Sequence, residues 1–389
     1  MVTEYAYPLL GGVPEHVHFL SRELASLGHE VTVITGKLHR DTRDHDRAIQ
    51  AEGGYRVERV GRLVPIYING SLARASVGFR VKPRIARALA DVDVVHAQGL
   101  AAPMLPLWAL RTSQAPVTVG TFHTYFTPTG HRLYRLFFAY IRASLARVDR
   151  QIAVSDACVE AIAPLFPGRF DVIPNGVDCD LFRPLRADEA RPAGPPRILF
   201  MGRFDPRNGL DVLLDAAASL KGSGYDFALD VVGDGPTRRL YERQARRLGL
   251  WNHITWHGLI REGRDRLYRE ATVFATPCHL ASFGVVLIEA LASGTPIVCA
   301  DNVGFRQVIR DGMPGAFVPP KNPEALAAAI AGLLDDPQRR TRWASEGRDL
   351  CVERYSWPSV ARRISALYDE VLATKVVSGT TAPTRNRLA

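Results

Sequence analysis

Arg203 is the first residue whose type and position suggest a use for its charge. It follows Gly202 and the apolar run Ile198–Met201, which has the length and character of a buried strand. A guanidinium is permanently charged, and its fork of N–H donors matches two oxygens of a diphosphate. Two interpretations of Arg203 are therefore open: an ordinary surface arginine, or the anchor of a diphosphate.

The segment Ser282–Gly294 surrounds one carboxylate with apolar side chains. Its sequence predicts a helix that Ser282 opens and Gly294 closes, with apolar residues nearly all round, as is typical of a buried helix. A buried Glu289 needs partners, because desolvating a lone carboxylate is costly. The hydroxyls of a ribose can supply them, and so can an arginine or a backbone amide of the protein.

A glycine pair and a histidine occupy comparable places in the first half of the chain. Gly11 and Gly12 precede a predicted helix, where a backbone without side chains can approach a phosphate. A plain turn explains the same pair. His123 ends the run Val117–Phe122, where an imidazole can bind sugar hydroxyls or a phosphate. A structural role is the alternative for His123 and the stronger interpretation for His96.

Short β-rich runs alternate with amphipathic helical stretches along the whole chain, which predicts parallel sheets covered by helices. The predicted strands are Glu30–Thr35, Tyr55–Val60, Val92–His96, Pro116–Phe122, Arg150–Val154, Phe170–Ile173, Arg197–Met201, Ala228–Val232, Ile254–His257, Val273–Thr276 and Pro296–Ala300. The first predicted helix, Pro14–Leu27, contains His16 and His18, to which we assign no role. The fold class is therefore α/β, with two Rossmann-like parallel-sheet domains.

A stretch rich in Pro, Ala and charged residues, from Phe182 to Pro196, interrupts the alternation and predicts a linker. Ligands of open parallel sheets bind beyond the carboxyl ends of the strands, where Arg203 and His123 are expected. Two such edges facing each other form one deep cleft. The predicted divisions are a first domain at 1–185, a second at 186–355, a C-terminal helix returning to the first domain at 356–375 and a disordered tail at 376–389.

The composition excludes several classes of protein. The 389 residues exceed what one core usually fills, and no run approaches the roughly 20 apolar residues of a membrane-spanning helix. Five cysteines without CxxC spacing argue against a zinc site and a disulfide framework, and the N-terminus does not resemble a signal peptide. These features favour a cytoplasmic protein.

The net charge of +9 is unevenly distributed. Between Arg59 and Arg147 the chain has twelve Arg or Lys residues, and Asp91 and Asp93 are its only acids. Solvated helix faces explain this excess, and so does a surface for anionic lipid on the inner face of the cell membrane, or for a phosphate-bearing acceptor. Nucleic acid is disfavoured, because no recognition motif accompanies the charge.

The N-terminus is unusual in another respect. Met1, Val2 and Thr3 run directly into Glu4 and the glycine turn, so the expected first strand, normally about five residues long, has lost its first half. We expect the natural start to lie upstream, and a shortened segment to weaken what should be a central strand.

Several motifs in a fixed order resemble glycosyltransferase family 4, the retaining, metal-independent enzymes of the GT-B fold, and within it the phosphatidylinositol mannosyltransferase type. The resemblance runs nearly end to end. The motifs are the glycine turn Gly11–Val13, the segment Val172–Asp178, the pair Gly202-Arg203, the loop Gly233–Pro236 and the segment from Ser282 to Glu289.

The resemblance implies roles for particular residues. Gly12 approaches the donor phosphates, and Arg203 holds the diphosphate. Phe283 and Gly284 offer backbone amides to phosphate and sugar, Glu289 binds the ribose, and His123 lies beside the transferred sugar. The implied donor-site residues are Gly11, Gly12, Arg203, Asn208, Gly235, Ser282, Phe283, Gly284, Val285 and Glu289, and the implied catalytic residues are His123 and Arg203.

The chain departs from the family pattern at one place near the diphosphate. The family usually has a lysine five residues after the diphosphate arginine, and here Asn208 holds that position. A cation that stabilises the departing diphosphate is therefore missing, and electrostatic stabilisation is usually the largest catalytic term. Arg207 is the candidate replacement.

A second departure concerns the sugar. The family usually has a glutamate eight positions before Glu289, and here Ala281 holds that position. A carboxylate beside the sugar is therefore missing, and the nearest polar candidate is His279.

The resemblance and the residues together predict a retaining hexosyltransferase that needs no metal and no cofactor. It takes a sugar, mannose as the first choice, from a GDP- or UDP-sugar donor to a lipid or glycan acceptor. Because of Asn208 and Ala281, a catalytically silent homologue that binds a nucleotide sugar is an alternative. A nucleotide-sugar epimerase of the same fold is another.

Overall fold

The computed structural model of the chain describes residues 1–9, 11–39, 41–68, 71–100, 104–123, 138–260, 262–309 and 314–377. The chain divides into two compact units. Unit 1 consists of Met1–Asn175 and Trp357–Ala389, and unit 2 of Gly176–Ser356. No described helix combines the length and the apolar character needed to cross a membrane.

The elements are numbered in chain order. The strands are β1 Thr32–Lys37, β2 Arg56–Ile68, β3 Ser71–Val77, β4 Val94–Gln98, β5 Val117–Phe122, β6 Arg150–Ala153, β7 Phe170–Val172, β8 Arg197–Met201, β9 Ala228–Val232, β10 Ile254–Gly258, β11 Val273–Thr276, β12 Ile297–Ala300 and β13 Gly315–Val318. The helices are α1 Gly12–Ser26, α2 Arg43–Gly53, α3 Val81–Ala88, α4 Leu105–Thr112, α5 Phe138–Leu145, α6 Asp156–Ile162, α7 Leu210–Gly222, α8 Arg238–Arg247, α9 Arg264–Glu270, α10 Val285–Ala292, α11 Pro323–Leu334, α12 Pro337–Leu350 and α13 Trp357–Val377.

The sheet of unit 1 has two groups of strands, β1-β2-β3 and β4-β5-β6-β7. All pairs are parallel except β2 with β3, which form an antiparallel pair. Val2 forms parallel bridges to both Ile34 of β1 and Ala97 of β4, so the N-terminal residues lie in the centre of the sheet. The carboxyl ends of β4 and β5 are thereby adjacent, with Gln98 paired to Thr121.

The last helix, α13, belongs to unit 1, where it packs on α1. Its first residue, Trp357, stacks on Phe19 of α1 with ring centroids 5.8 Å apart. Val360, Ile364 and other apolar residues of one face join the core that α1 and β5 also line. The amphipathic pattern of α13 is therefore satisfied within this unit.

Unit 2 has a six-stranded, fully parallel sheet in the order β10-β9-β8-β11-β12-β13. Its core is formed by β8, β9, α7 and α11. The segment predicted to be a linker packs on this unit. Phe182 is buried, and Arg183 and Glu189 form a bidentate ion pair with both distances at 2.7 Å. Because β8 lies at the centre of the sheet, the loop after it lies between the loops that follow β9 and β11.

Each strand predicted from the sequence is present, but β3 and β13 were not predicted, and β2 is longer than expected. The predicted helix from Ser282 begins only at Val285, because Gly284 adopts φ 113° and interrupts the helical backbone. Gly294, with φ 67°, follows its end as expected. The predicted disordered tail lies outside the described residues, except for Val376 and Val377, which end α13.

Candidate functional site

The loop after β8 carries Arg203 at the carboxyl edge of the unit 2 sheet. The loop after β9 packs directly on it, and a Cβ atom at Gly233 would lie 1.9 Å from the carbonyl oxygen of Gly202. A Cβ atom at Gly235 would lie 2.3 Å from the carbonyl oxygen of Phe204. These two glycines are therefore required for the backbones of the two loops to touch. That contact accounts for Gly235 without any ligand.

The side chain of Arg203 is exposed and forms no ion pair with a described residue. The main chain beside it is fixed, since the amide of Asp205 donates to the Arg203 carbonyl at 2.9 Å. A guanidinium on a braced backbone, without a carboxylate partner, is available to bind an anion.

Asn208 braces the same loop. Its Nδ2 donates to the carbonyl of Arg203 at 2.6 Å, and its Oδ1 accepts from the thiol of Cys278 at 3.4 Å. The neighbouring Arg207 is exposed, and its Nε lies 3.9 Å from the carboxylate of Asp205. Asn208 thus contributes hydrogen bonds to the loop where the family has a charge.

The start of α10 lies after β11 at this edge. Gly284 precedes the helix in a left-handed conformation, and a Cβ atom there would lie 2.8 Å from the ring of Phe305. The N-cap residue, Gly284, has no side chain that could cap the helix, and the first amides of α10 are candidate donors for a ligand. Phe283 is buried against Tyr355, with ring centroids 6.0 Å apart, and this contact fixes the approach to the helix.

Glu289 lies inside α10 and is 4% exposed. Tyr268 donates its hydroxyl to Oε2 at 2.9 Å, and Arg264 lies 3.1 Å from Oε1 through Nη2. The guanidinium of Arg264 also lies 5.4 Å from the ring centroid of Phe182. The sequence left open whether Glu289 has a protein partner, and Arg264 and Tyr268 are partners among the described residues that were not identified from the sequence.

Ala281 and Gly304 are in close backbone contact. A Cβ atom at Gly304 would lie 2.2 Å from the carbonyl oxygen of Ala281. His279, the polar candidate nearby, is partly exposed and donates its backbone amide to the carbonyl of Arg207 at 3.0 Å. Burial, and then the charge of Lys321, lower the pKa of His279. Its imidazole is therefore not a substitute for a negative charge at neutral pH.

The glycine pair of unit 1 lies at the start of α1. Gly11 has φ 140°, a conformation that side chains disfavour, whereas Gly12 is the first helical residue. A Cβ atom at Gly12 would have no atom within 4 Å. Packing therefore does not require glycine at position 12, and the open space beside it leaves room for a ligand.

His123 follows β5 in unit 1. Its Nε2 lies 2.7 Å from Oε1 of Gln98, and its ring is 4.6 Å from that of His16, edge to face. Burial, and then the nearby His16 and His96, hold the pKa of His123 well below its ordinary value. The imidazole is therefore neutral at physiological pH.

Two buried histidines lie beside it. His96 bonds to the hydroxyls of Tyr368 and Thr121, each at 2.6 Å, which supports the structural interpretation of this residue. His16 was given no role, but its Nδ1 lies 3.0 Å from Asn175, and burial lowers its pKa to about 4. Its Nε2 is buried without a hydrogen-bond partner among the described residues.

A basic surface with an exposed aromatic ring lies elsewhere on unit 1. Phe79 is fully exposed in the turn between β3 and α3, and Lys82, Arg84 and Arg87 are exposed along α3. We call Phe79 and these three residues the α3 surface. None of the three cations forms an ion pair with a described residue. The surface therefore combines net positive charge with one apolar side chain.

Two family models match the chain in succession. Glycosyltransferase Family 4 matches residues 10–181, and Glycosyl transferases group 1 matches residues 182–350. Together they span strands β1 to β13, including the loops that carry Arg203 and His123.

Relatives cover nearly the whole chain. A phosphatidyl-myo-inositol mannosyltransferase of Mycobacterium leprae is 34% identical over 380 residues, which are 95% of this chain and 96% of the relative. A GDP-mannose-dependent alpha-(1-6)-phosphatidylinositol monomannoside mannosyltransferase of Mycolicibacterium smegmatis is 28% identical, over 94% of this chain and 97% of its own.

The fold also occurs among solved structures. Anabaena HepE, in complex with UDP and glucose, has a TM-score of 0.73 at 18% identity and covers 95% of this chain and 98% of its own. This likeness confirms the predicted α/β fold class of the GT-B type, with two Rossmann-like sheets.

Proposed function

Because the chain belongs to glycosyltransferase family 4 and is a glycosyltransferase, we propose that it transfers mannose from GDP-mannose to a phosphatidylinositol lipid. The observation that carries this proposal is the likeness to the Mycobacterium leprae mannosyltransferase over almost all of both chains. The name of the Mycolicibacterium smegmatis relative supports GDP-mannose over a UDP-sugar.

In unit 2, Arg203 is assigned to the diphosphate. Its exposed guanidinium has no carboxylate partner among the described residues, and Asn208 and Asp205 hold the backbone beside it. The amides of Gly284 and Val285 at the start of α10, with those of Ser282 and Phe283 before it, are assigned to phosphate and sugar oxygens.

Glu289 is assigned to the ribose. Its carboxylate accepts from Tyr268 and faces Arg264. Ribose hydroxyls are donors that a carboxylate can accept, which is the chemical basis of the assignment.

In unit 1, Gly11 and Gly12 are assigned to the donor phosphates and His123 to the transferred sugar. The bond from the sugar C1 to the diphosphate breaks, and the bond from C1 to the acceptor oxygen forms on the same face. The acceptor proton passes to the departing diphosphate, so the anomeric configuration is retained. The protein contributes positioning and charge stabilisation, with no metal required.

The α3 surface is assigned to an anionic membrane on its cytoplasmic face. Basic residues near such a surface contribute about 1 kcal/mol each, and an exposed aromatic ring adds apolar contact. The five cysteines are all free, which supports a reducing compartment.

The test is transfer by the purified full-length protein. It would be incubated with GDP-mannose or UDP-glucose, and with vesicles containing phosphatidylinositol or phosphatidylglycerol, in the presence and absence of EDTA. We expect mannosylated phosphatidylinositol by mass spectrometry, formed only from GDP-mannose, with α-configuration and no effect of EDTA. Tight binding of GDP-mannose by calorimetry with no product on any acceptor would overturn the proposal.

A further inference from the structure

Four polar side chains lie together at the carboxyl ends of β4 and β5. Gln98 is paired with Thr121 in the sheet, and His96 and His123 each lie two residues from one of them. Because strand side chains alternate with a period of two, all four lie on one face. Gln98 is the link, with one side-chain atom 2.7 Å from Nε2 of His123 and the other 3.2 Å from Nε2 of His96.

The Gln98 amide determines which ring nitrogen of His123 carries the proton. The atom facing His123 is the carbonyl oxygen Oε1, which can only accept a hydrogen bond. Nε2 of His123 must therefore carry the proton, and a neutral imidazole has only one. Nδ1 of His123, which has no hydrogen bond to a described residue, is left with a lone pair.

The other end of the chain of hydrogen bonds agrees with this assignment. The Gln98 amino group donates to Nε2 of His96, to which the Thr121 hydroxyl also lies close enough to donate, at 2.6 Å. His96 therefore carries its proton on Nδ1 and donates it to the hydroxyl of Tyr368, 2.6 Å away. Under this assignment each of the four contacts pairs a donor with an acceptor, and Gln98 and His96 are buried from water.

We propose that Gln98 is a positioning residue that fixes His123 with its proton on Nε2, so that Nδ1 accepts a hydrogen bond from a hydroxyl of the transferred sugar. The second part rests on the proposed function, whereas the first concerns the protein alone. His123 acts in this arrangement as a neutral acceptor that orients the sugar.

The first test determines which ring nitrogen of His123 carries the proton. ¹⁵N NMR of the histidine rings in the full-length protein, without donor, distinguishes a protonated from an unprotonated ring nitrogen. We expect His123 to be protonated on Nε2. In Gln98→Met, which has a similar shape and only a weakly accepting thioether sulfur, we expect Nδ1-protonated His123 to appear. Gln151→Met, in the neighbouring strand β6, is the matched control and leaves the His123 signals unchanged.

Two NMR results would overturn the proposal. If the Gln98 amide has the opposite orientation, His123 carries its proton on Nδ1 in the unmodified protein. The same signals in Gln98→Met and the unmodified protein would also overturn it. Neither result depends on a sugar donor or an acceptor substrate, so the first part of the proposal fails or stands independently of the assigned reaction.

A kinetic test separates positioning from a merely structural role. We expect Gln98→Met to lower kcat about tenfold, roughly the effect of one hydrogen bond, with little change in KM and a cooperative unfolding transition. Gln98→Glu keeps the acceptor and should restore most of kcat. Its carboxylate stabilises the His123 imidazolium, so the acidic limb of the kcat profile should move to higher pH. Equal losses in both variants, without that movement, would contradict the positioning role.

Discussion

The side-chain amide of Asn208 donates a hydrogen bond to the backbone carbonyl of Arg203, 2.6 Å away. The residue at the position where the resemblance implies a lysine therefore holds the main chain of the arginine that we assign to the diphosphate. In Asn208→Lys we expect the free energy of unfolding to fall by about 1 kcal/mol, because that bond is lost. We expect kcat to rise about tenfold, because a cation is added beside the departing diphosphate.

Steady-state kinetics and urea unfolding would measure both effects. Asn252→Lys adds the same charge at an exposed position of unit 2 and should change neither. A lower kcat in Asn208→Lys would show that the hydrogen bond from Asn208 to the Arg203 carbonyl contributes more to turnover than the added charge does.

Arg203 offers a test of donor binding with little effect on stability. Its side chain is exposed without an ion pair to a described residue, so Arg203→Ala should leave the melting temperature unchanged. A charge-assisted pair with a diphosphate is lost, so the Kd for GDP-mannose should rise roughly 10–100-fold. Calorimetry measures the Kd, and Arg239→Ala, another exposed arginine of unit 2, is the control. Equal affinities in the two variants would exclude Arg203 from the donor site.

The buried Glu289 predicts a larger effect on stability. Glu289→Gln removes the charge that faces Arg264, whose side chain is 26% exposed. We expect the free energy of unfolding to fall by about 2 kcal/mol, less than the roughly 3–5 kcal/mol for fully buried pairs. Glu242→Gln, which breaks a more exposed pair with Arg238, should cost less than about 1 kcal/mol in the same denaturant titration. Equal costs would show that the burial of Glu289 has no energetic consequence.

The buried histidines of unit 1 predict acid sensitivity. Burial lowers the pKa of His16 to about 4, below the roughly 6.5 of an unfolded histidine, so the unfolded state binds more protons between these values. Stability is therefore fully present above about pH 6.5 and is lost as the pH falls toward 4. For His16 the loss is on the order of 3 kcal/mol.

The free energy of unfolding should be measured from pH 7.5 to 4.5. In His16→Gln we expect the free energy of unfolding to decline less steeply with falling pH than in the unmodified protein. The difference in slope should correspond to about one bound proton. Burial raises the pKa of Glu4, so this residue contributes a slope of the opposite sign. The contribution is the same in both proteins and cancels when their slopes are subtracted. His39→Gln, at an exposed position, should retain the original slope. An unchanged slope in His16→Gln would contradict the lowered pKa of His16 as the source of the acid sensitivity.

The α3 surface predicts salt-sensitive binding to anionic vesicles. Reversing the charge of Lys82 and Arg84 to Glu should weaken binding at least tenfold at low salt, and Phe79→Ser should weaken it severalfold at any salt. Sedimentation with phosphatidylglycerol vesicles measures both. Phe317→Ser, at an exposed position of unit 2, is the control. Equal binding to neutral and anionic vesicles would exclude the electrostatic contribution.

The sequence predicted five of the six strands of the second sheet and missed β13. Its central strands were recognisable because they contain apolar runs, such as Ile198–Phe200 in β8, that are buried. It did not predict β3, whose alternating polar residues include Arg74 and whose place depends on pairing with β2. The start of α10 was misplaced because a serine cap at Ser282 and a strained Gly284 satisfy the same local pattern. A Cβ atom at position 284 would lie 2.8 Å from the ring of Phe305, a close approach that the local sequence does not reveal.

The glycine loops, Arg203 and His123 were identified because each follows a predicted strand. Gln98 was missed because its relationship to His123 depends on the register between β4 and β5, which local sequence does not specify. The alternation His96-Ala97-Gln98 beside Thr121-Phe122-His123 was the available signal. Arg264 and Tyr268 were missed because α9 is close to Glu289 in space and distant in sequence.

The position of α13 has a consequence for the order in which the protein is completed during synthesis. Trp357 and Tyr368 contact Phe19 and His96, yet the ribosome makes all of Gly176–Ser356 between them. At about 5–20 residues per second, that interval lasts roughly 10–40 s. During it, the apolar side of α1 that α13 covers is exposed on the nascent chain, and the hydrogen bond that His96 donates to Tyr368 cannot form. Unit 1, which begins first, is therefore finished last.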